Sequence, residues 1–245
     1  MGLFIFTQEL SRPEIVATPN TTKPLKPFSH LEIESRENTW QLSNARCIYW
    51  VERETLLLAD LHIGKGRHFR RQGIAVPQQS DDNDLKRLRK TIDQYQPGRV
   101  MLLGDVFHSD DVADDEGFEL MLHDTRGVEW VLITGNHDPK GLHRYEHLPL
   151  QAFENSYQLD GFNFTHHPEP VVDKLTFCGH VHPSVSMYGK GLQSLKLPCF
   201  HWRKDLVVLP AFSHFTGKGA VQTKSSDRVF VVTGDEVIEA NGVAI

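Results

Sequence analysis

Four short clusters of carboxylate, imidazole and amide side chains lie in order along this chain, and such side chains bind metal ions. The clusters are Asp60-Leu61-His62, Gly104-Asp105, Gly135-Asn136-His137-Asp138 and Gly179-His180-Val181-His182. The two-residue spacing in Asp60/His62 and His180/His182 puts both side chains on the same side of an extended segment. Two divalent ions about 3.5–4 Å apart supply the positive charge and the hydroxide that phosphate ester cleavage needs. The clusters therefore predict a two-metal site that cleaves phosphate esters.

The ligand types also restrict the metal and the compartment. Mixed carboxylate, imidazole and amide ligands suit Mn, Fe or Zn better than Ca or Mg. The three cysteines, Cys47, Cys178 and Cys199, have no CxxC spacing, so neither a thiolate zinc site nor a disulfide framework is indicated. We therefore expect a reduced, cytoplasmic environment.

Apolar runs typical of buried strands precede the clusters. These runs are 55–59, 100–103, 130–133, 161–165 and 174–177. Amphipathic patterns at 81–95 and 115–124 predict helices between the first three runs, and strand-helix-strand order is typical of a parallel sheet. The runs at 161–165 and 174–177, with later runs at 185–188, 205–209 and 228–232, predict a second sheet that faces the first. Since ligands bind beyond the carboxyl ends of such strands, we expect the clusters to meet there.

Length and charge limit the domain organisation and the kinds of partner that the chain can have. The chain has 245 residues, and we interpret 38–245 as a single domain and 1–37 as an irregular N-terminal arm. The formal charge of −6 disfavours binding of nucleic acid through bulk positive charge, although a local basic segment remains compatible with it. We expect no membrane association, because no apolar run approaches the ~18 residues of a membrane span, and the first ten residues do not resemble a signal peptide.

Together, the DLH, GD, GNHD and GHVH motifs and a histidine at a strand end resemble the calcineurin-like metallophosphoesterase superfamily. The resemblance implies an α/β fold, a four-layer α-β-β-α sandwich of two facing mixed sheets with a dinuclear metal site at the strand ends. It implies one ion held by Asp60, His62, Asp105 and His182. It implies a second ion held by Asp105, Asn136, His166 and His180, so that Asp105 bridges the two.

The same resemblance gives roles to residues that do not bind metal. A metal-bound hydroxide would attack phosphorus, and His137 would protonate the leaving oxygen, since histidine changes its charge near neutral pH. Asp138 would orient His137, and His108 would assist from nearby. His166 and His167 are adjacent, only one should coordinate, and the strand-end position favours His166.

The segment ADLHIGKGRHFRRQGIAVP is similar to the bacterial ligase-associated DNA damage response endonuclease branch, PdeM. This branch implies Mn(II)-dependent phosphodiester cleavage, DNA as a substrate, and a DNA ligase and a helicase as partners. The helix start Ser80-Asp81-Asp82 departs from the Tyr-Asp-Thr that is typical of this branch. Four basic residues beside the DLH motif are candidates for substrate binding, although a solvated helix face explains them as well. They are Lys65, Arg67, Arg70 and Arg71.

Two other functions remain open. A hydrolase of a small nucleotide or of a nucleotide-linked lipid pyrophosphate would use the same metal site, although we see no apolar cap insertion. A non-catalytic scaffold would keep the fold and lose ligands, and the intact ligand set with His137 disfavours it.

Overall fold

Two mixed β-sheets lie face to face in the computed structural model, and helices cover the outer face of the first sheet. The structure describes residues 26–76, 80–108, 116–188, 194–214, 216–217, 219–220 and 222–240, with the backbone alone at 80–82 and 188.

The first sheet has seven strands, which follow one another in chain order. They are β1 (His30–Ser35), β2 (Asn38–Ser43), β3 (Cys47–Trp50), β4 (Thr55–Leu58), β5 (Arg99–Leu103), β6 (Glu129–Ile133) and β7 (Gln151–Phe153). Strands β1 to β4 are antiparallel, and β4 to β7 are parallel. The central strands β4, β5 and β6 read as continuous apolar runs because both of their faces are covered.

Helices pack on the outer face of this sheet. The packing residues come from α2 (Ser80–Tyr95) and α3 (Glu116–Asp124), and α1 (Lys65–Arg71) contacts α2. Short 3-10 helices lie at Val51–Arg53 and Leu142–Tyr145. Leu88 and Ile92 of α2 and Phe118 of α3 share one buried cluster with Leu56 and Leu102 of the sheet. No helix among the described residues is long and apolar enough to cross a membrane.

The second sheet has nine strands, of which β9, β10 and β13 run parallel to one another. They are β8 (Ser156–Leu159), β9 (Phe162–Thr165), β10 (Leu175–Cys178), β11 (Pro183–Tyr188), β12 (Ser194–Trp202), β13 (Leu206–Val208), β14 (Gly219–Ala220), β15 (Arg228–Val232) and β16 (Val237–Glu239). Their order is β14-β11-β12-β13-β10-β9-β8, with β15 paired to β12 and β16.

Aromatic side chains fill the space between the two sheets. Trp40 of β2 stacks on Trp50 of β3 with ring centroids 5.0 Å apart, and it meets Phe162 and Phe177 of the second sheet at 5.1 and 4.5 Å. Such pairs add about 0.5–1.5 kcal/mol each beyond the apolar area that they bury. This packing fixes the two sheets relative to each other, and with them the strand ends that carry the candidate ligands.

The expected two facing mixed sheets are confirmed, as is the alternation of parallel strands and helices from β4 to β6. The helices within the described ranges pack on the first sheet alone, so a second helical layer is not seen there. The interpretation of 1–37 as irregular is wrong for residues 30–35, which form β1. There Leu31 and Ile33 alternate with charged residues, a half-buried strand pattern. Residues 1–25 lie outside the described part of the chain.

Candidate metal centre

The candidate ligands come together at one edge of the fold, from loops that leave both sheets. Asp60 and His62 follow β4, Asp105 follows β5, and Asn136 follows β6. His166 follows β9 of the second sheet, and the GHVH segment follows β10. Backbone hydrogen bonds tie these loops together, among them Asp60 N–H to the Gly104 carbonyl at 3.1 Å and Gly179 N–H to the His166 carbonyl at 3.2 Å. The expected convergence at the carboxyl ends of the strands is therefore present.

The first group of ligand atoms belongs to Asp60, His62 and His182. The Nε2 atoms of His62 and His182 are 3.4 Å apart, and Nε2 of His182 is 3.3 Å from a carboxylate oxygen of Asp60. The Asp60 carboxylate is buried and also accepts the backbone N–H of His180 at 3.0 Å. This contact fixes the carboxylate with one side toward the two imidazoles.

The second group surrounds His166. Its Nδ1–H donates to the Leu103 carbonyl at 3.0 Å, which leaves Nε2 directed toward the site. That Nε2 atom lies 3.1 Å from the Asn136 amide oxygen, 3.1 Å from Nδ1 of His180 and 3.4 Å from a carboxylate oxygen of Asp105. His166, Asn136, His180 and Asp105 are the residues that the resemblance assigns to one ion.

These separations fit a metal ion inside each group. Ligand atoms bonded to one ion at about 2.0–2.2 Å lie about 3.0–3.5 Å from one another in tetrahedral or octahedral geometry. The distances of 3.1–3.4 Å within both groups fall in that range. Two carboxylates, four imidazoles and one amide make up the donor set, which suits divalent transition metals.

The backbone of the site is held in an uncommon conformation. Five of the candidate ligands have the left-handed φ that non-glycine residues seldom adopt, and such strain concentrates at functional sites. They are Asp60 (56°), His62 (49°), Asp105 (50°), His180 (68°) and His182 (50°). The left-handed turns direct both residues of Asp60/His62 and both of His180/His182 into the site.

Glycines allow the loops to approach so closely. Gly104 has φ of +77°, and a Cβ atom there would overlap the His166 ring. A Cβ atom at Gly179 would lie 2.6 Å from both Asp60 Oδ2 and the Cβ of Ala59. A larger residue at Gly104 would displace His166, and one at Gly179 would displace Asp60. Both positions therefore require glycine.

The electrostatic environment of three candidate ligands, His62, His180 and Asp105, favours the forms that bind metal. Burial and the nearby charge of Lys65 lower the pKa of His62, and burial with the neighbouring His166 and His167 lowers the pKa of His180. Both imidazoles are therefore neutral near pH 7, the form in which histidine binds a metal. Burial alone would raise the pKa of Asp105, but its interactions with His166, the backbone N–H of His137 and the charge of His62 together lower that pKa, which keeps the carboxylate charged.

His137 lies beside the ligands without joining either group. Its ring is stacked on His108 at 5.3 Å and meets His62 edge-on at 5.6 Å, and its backbone N–H donates to Asp105 Oδ1 at 2.9 Å. The ring of His108 therefore supports the His137 ring directly, as its expected assisting position implies. Burial lowers the pKa of His108 to about 4, so this neighbour is uncharged near neutral pH.

Asp138 has a different partner from the one expected. Its buried carboxylate accepts the backbone N–H of Phe107 at 2.9 Å and that of Gly135 at 2.8 Å, and no bond to the His137 imidazole occurs among the described contacts. Orientation of His137 by Asp138 stays a prediction, because the described bonds of this carboxylate are to backbone N–H groups. Buried backbone N–H groups need acceptors. The Asp138 carboxylate provides the acceptors for two of them, one from each of two loops. It joins the loops after β5 and β6.

Of the two adjacent histidines, His166 has the better position. It is buried and directed at Asn136 and Asp105, whereas His167 is exposed and packs its ring on His180 at 4.5 Å. His167 still lies close enough to His166 and His180 to form a third potential group of ligand atoms. Assignment of His166 as the ligand remains a prediction.

Helix α1 carries the four basic candidates for substrate binding. Lys65 is half-buried, and its charge acts on both Asp60 and Asp105, so it belongs to the site. Arg67 and Arg70 are partly buried, and Arg71 is exposed. The same helix adds His68 and Phe69, whose rings lie 4.9 and 5.9 Å from that of His108. The sequence drew attention to His68 and Phe69 as part of a basic and aromatic segment, but it did not predict that their rings contact His108.

A cavity of about 310 Å³ opens on the other side of the site. Asn136 and His167 form its wall toward the candidate ligands, and Lys140, Glu154 and Asn155 form the outer walls. Its volume is near the lower end of the range for small-molecule sites, roughly 300–1,000 Å³.

Two facing mixed sheets with such a set of candidate ligands at their strand ends define a metal-dependent phosphoesterase. The chain belongs to the calcineurin-like phosphoesterase family, whose sequence profile matches residues 54–237. No curated protein shows significant sequence similarity to it.

Solved structures add two comparisons. The chain is similar to the nuclease MPE from Pseudomonas putida, with 27% identity and a TM-score of 0.70 over 86% of this chain and 100% of that chain. The phosphoesterase Yfce from E. coli is 14% identical, with a TM-score of 0.39 over 76% of this chain and 97% of that chain.

Proposed function

We propose that this enzyme is a two-metal phosphodiesterase that cleaves DNA internally, as an endonuclease associated with DNA repair. The observation that supports the proposal most directly is the geometry of the two ligand groups. Their atoms are 3.1–3.4 Å apart within each group, and they share one edge of the fold with the non-ligating His137. A phosphate at that edge would meet both groups and an imidazole at once.

In this proposal each group holds one divalent ion, and Asp105 contributes to both. Asp60, His62, Asp105 and His182 hold the first ion, and Asp105, Asn136, His166 and His180 hold the second. Mn(II) is the proposed metal, with Fe and Zn as alternatives, and the ions supply positive charge to the phosphate oxygens and activate water. His137 donates a proton to the leaving oxygen, and Asp105 and His108 hold it in place.

Nucleic acid is the proposed substrate because positive charge lies directly beside the site in an otherwise acidic chain. Lys65, Arg67, Arg70 and Arg71 can contact successive phosphates of a strand, and such contacts position a substrate without reading its sequence. The similarity to a Pseudomonas putida nuclease supports the same substrate class. A DNA ligase and a helicase are the proposed partners in repair.

The cavity beside Asn136 supports a diester over a monoester. It offers room for the sugar or base next to the cleaved bond, and its amide, carboxylate, ammonium and imidazole groups provide both donors and acceptors. A phosphomonoester carries only one organic group, so it could not occupy this cavity and extend along α1 at the same time.

The proposal is tested by a substrate comparison at fixed Mn(II). Purified protein is assayed with bis-p-nitrophenyl phosphate, circular and linear DNA, RNA, cyclic nucleotides and a nucleotide-linked lipid pyrophosphate. We expect cleavage of the chromogenic diester and nicking of the circular DNA, and loss of both after chelation. If the protein cleaves the lipid pyrophosphate or a small nucleotide faster than DNA, the proposal that DNA is the substrate is wrong. Two bound ions without any hydrolysis would contradict the enzyme assignment.

A further inference from the structure

A cluster of buried polar side chains lies beneath the metal centre, and none of its members is a candidate ligand. Asp84 and Arg87 of α2 form a buried ion pair at 3.0 Å, with only 9% and 11% of their side chains exposed. Arg46, which precedes β3, lies close enough to act electrostatically on both. Burying such groups is expensive unless they are paired and hydrogen-bonded, so their partners indicate what they do.

Their partners are the backbone groups of one loop, residues 211–214, which follows β13. Arg46 donates to the carbonyls of Ala211 at 3.4 Å and Ser213 at 2.9 Å, and Arg87 donates to the carbonyl of Phe212. The Arg87 guanidinium also lies over the Phe212 ring, 4.3 Å from its centroid. Every carbonyl from 211 to 213 therefore accepts a bond from a guanidinium.

The Asp84 carboxylate holds the end of the same loop. It accepts the backbone N–H of His214 at 3.2 Å and lies 3.2 Å from Nδ1 of the His214 ring. Because Asp84 also pairs with Arg87, the carboxylate and the guanidinium fix each other while both hold the loop.

The opposite side of the loop holds a candidate ligand. Phe212 N–H donates to the Ala59 carbonyl at 2.8 Å, and Ser213 N–H donates to the Asp60 carbonyl at 3.2 Å. Asp60 has a left-handed φ of 56°, and its own N–H donates to Gly104. A non-glycine residue keeps this strained conformation only when several surrounding contacts hold it there. The hydrogen bond from Ser213 to the Asp60 carbonyl is one of these contacts.

We infer that Arg87 and Asp84 are positioning residues of the metal centre: through residues 211–214 they hold Asp60 in the left-handed conformation that directs its carboxylate at the first ion. This inference rests on the proposed ligation by Asp60. Loss of the Arg87 guanidinium frees the Phe212 carbonyl and relaxes the loop. Asp60 then turns away from His62 and His182, while the second group around His166 keeps its own supports.

The test is direct titration of the ion-free protein with Mn(II) by calorimetry, with no dependence on catalysis. Arg87→Met keeps an unbranched apolar side chain at this position and removes every donor, and Arg89→Met is the matched control. Arg89 lies on the same helix, pairs with Asp124 at 3.0 Å and is 38% exposed. We expect Arg87→Met to lose roughly 10–100-fold in affinity for one ion only, the usual effect of removing an outer-shell partner, and Arg89→Met to bind like wild type. The ion whose binding is weakened should be the same one that Asp60→Asn weakens, and excess Mn(II) should restore kcat in Arg87→Met.

Wild-type affinity for both ions in folded Arg87→Met would overturn the inference. If that variant does not fold, Asp84→Asn replaces it, because an amide still accepts the His214 N–H and loses only the charge that fixes Arg87. We expect a smaller weakening of the same ion, and unchanged binding there overturns the inference equally. A wild-type protein that does not bind two ions contradicts the proposed function itself, so the two failures are distinct.

Discussion

Asp105 Oδ1 accepts the backbone N–H of His137 at 2.9 Å, while its other carboxylate oxygen is 3.4 Å from Nε2 of His166. One carboxylate therefore joins the proposed acid to the second ligand group. We expect Asp105→Asn to weaken both ions, because the charge that it removes is shared, whereas Asp60→Asn weakens one. Mn(II) titration of the two variants measures this difference. If Asp105→Asn weakens the binding of only one ion, Asp105 does not bridge the two ions.

His137→Ala should reduce turnover by about 10²–10⁴-fold with DNA, the range for loss of a general acid. The loss should be smaller with bis-p-nitrophenyl phosphate, because p-nitrophenolate leaves readily without a proton and a sugar alkoxide does not. The kcat ratio of the two substrates measures the effect. Mn(II) affinity should stay at the wild-type level because His137 belongs to neither ligand group. Equal losses with both substrates would contradict the acid role.

The adjacent histidines give a matched pair of variants. His166→Ala removes the Nε2 atom that faces Asn136, Asp105 and His180, and we expect the second ion to be lost. His167→Ala removes an exposed ring and should leave two ions bound. The measurement is the number of metal ions bound per purified protein. Loss of an ion in His167→Ala but not in His166→Ala would identify His167 as the ligand.

Gly104→Ala should both destabilise the fold and weaken the second ion, since the added Cβ overlaps the His166 ring. The control is Gly161→Ala, where φ is +83° and a Cβ would meet no atom within 4 Å. That control isolates the backbone strain, which costs roughly 1–2 kcal/mol. Urea unfolding and Mn(II) titration distinguish the two variants. Equal behaviour of the pair would show that the close approach to His166 is unimportant.

Arg70→Ala combined with Arg71→Ala tests the basic helix. We expect weaker cleavage of DNA with a shallower dependence on salt, because each lost phosphate contact reduces the number of counterions released. Cleavage of bis-p-nitrophenyl phosphate should not change, since that substrate is too small to extend along α1. Arg89→Ala combined with Arg126→Ala removes the same charge near the start of β6, away from the strand ends that carry the ligands. Equal effects of the two double variants would assign the change to net charge alone.

Much of the fold and the site is predictable here because local pattern and tertiary environment agree. The buried runs before Asp60, Asp105 and Asn136 read as strands, and polar residues directly after them must lie at one edge of a parallel sheet. Strand β12 is harder to predict, because Pro198 interrupts its pattern near the point where the strand exchanges β11 for β13 and β15 as partners.

Other parts of the site depend on contacts between distant residues. The Leu103 carbonyl that orients His166 is 63 residues away from it in the chain, and the Arg87 bond to Phe212 spans 125 residues. No local sequence pattern predicts either contact. The partner of Asp138 was missed for the same reason, since the Phe107 N–H reaches it from another loop.

The left-handed turns at Asp60, His62, Asp105, His180 and His182 also set a limit on how this protein can be improved. Each such residue costs roughly 1–2 kcal/mol of backbone strain, which is a large share of the roughly 5–15 kcal/mol that separates folded from unfolded domains. Glycine would relieve the strain and remove the ligand in the same step. Selection for a more stable protein and selection for a faster enzyme therefore act in opposite directions on the same few positions.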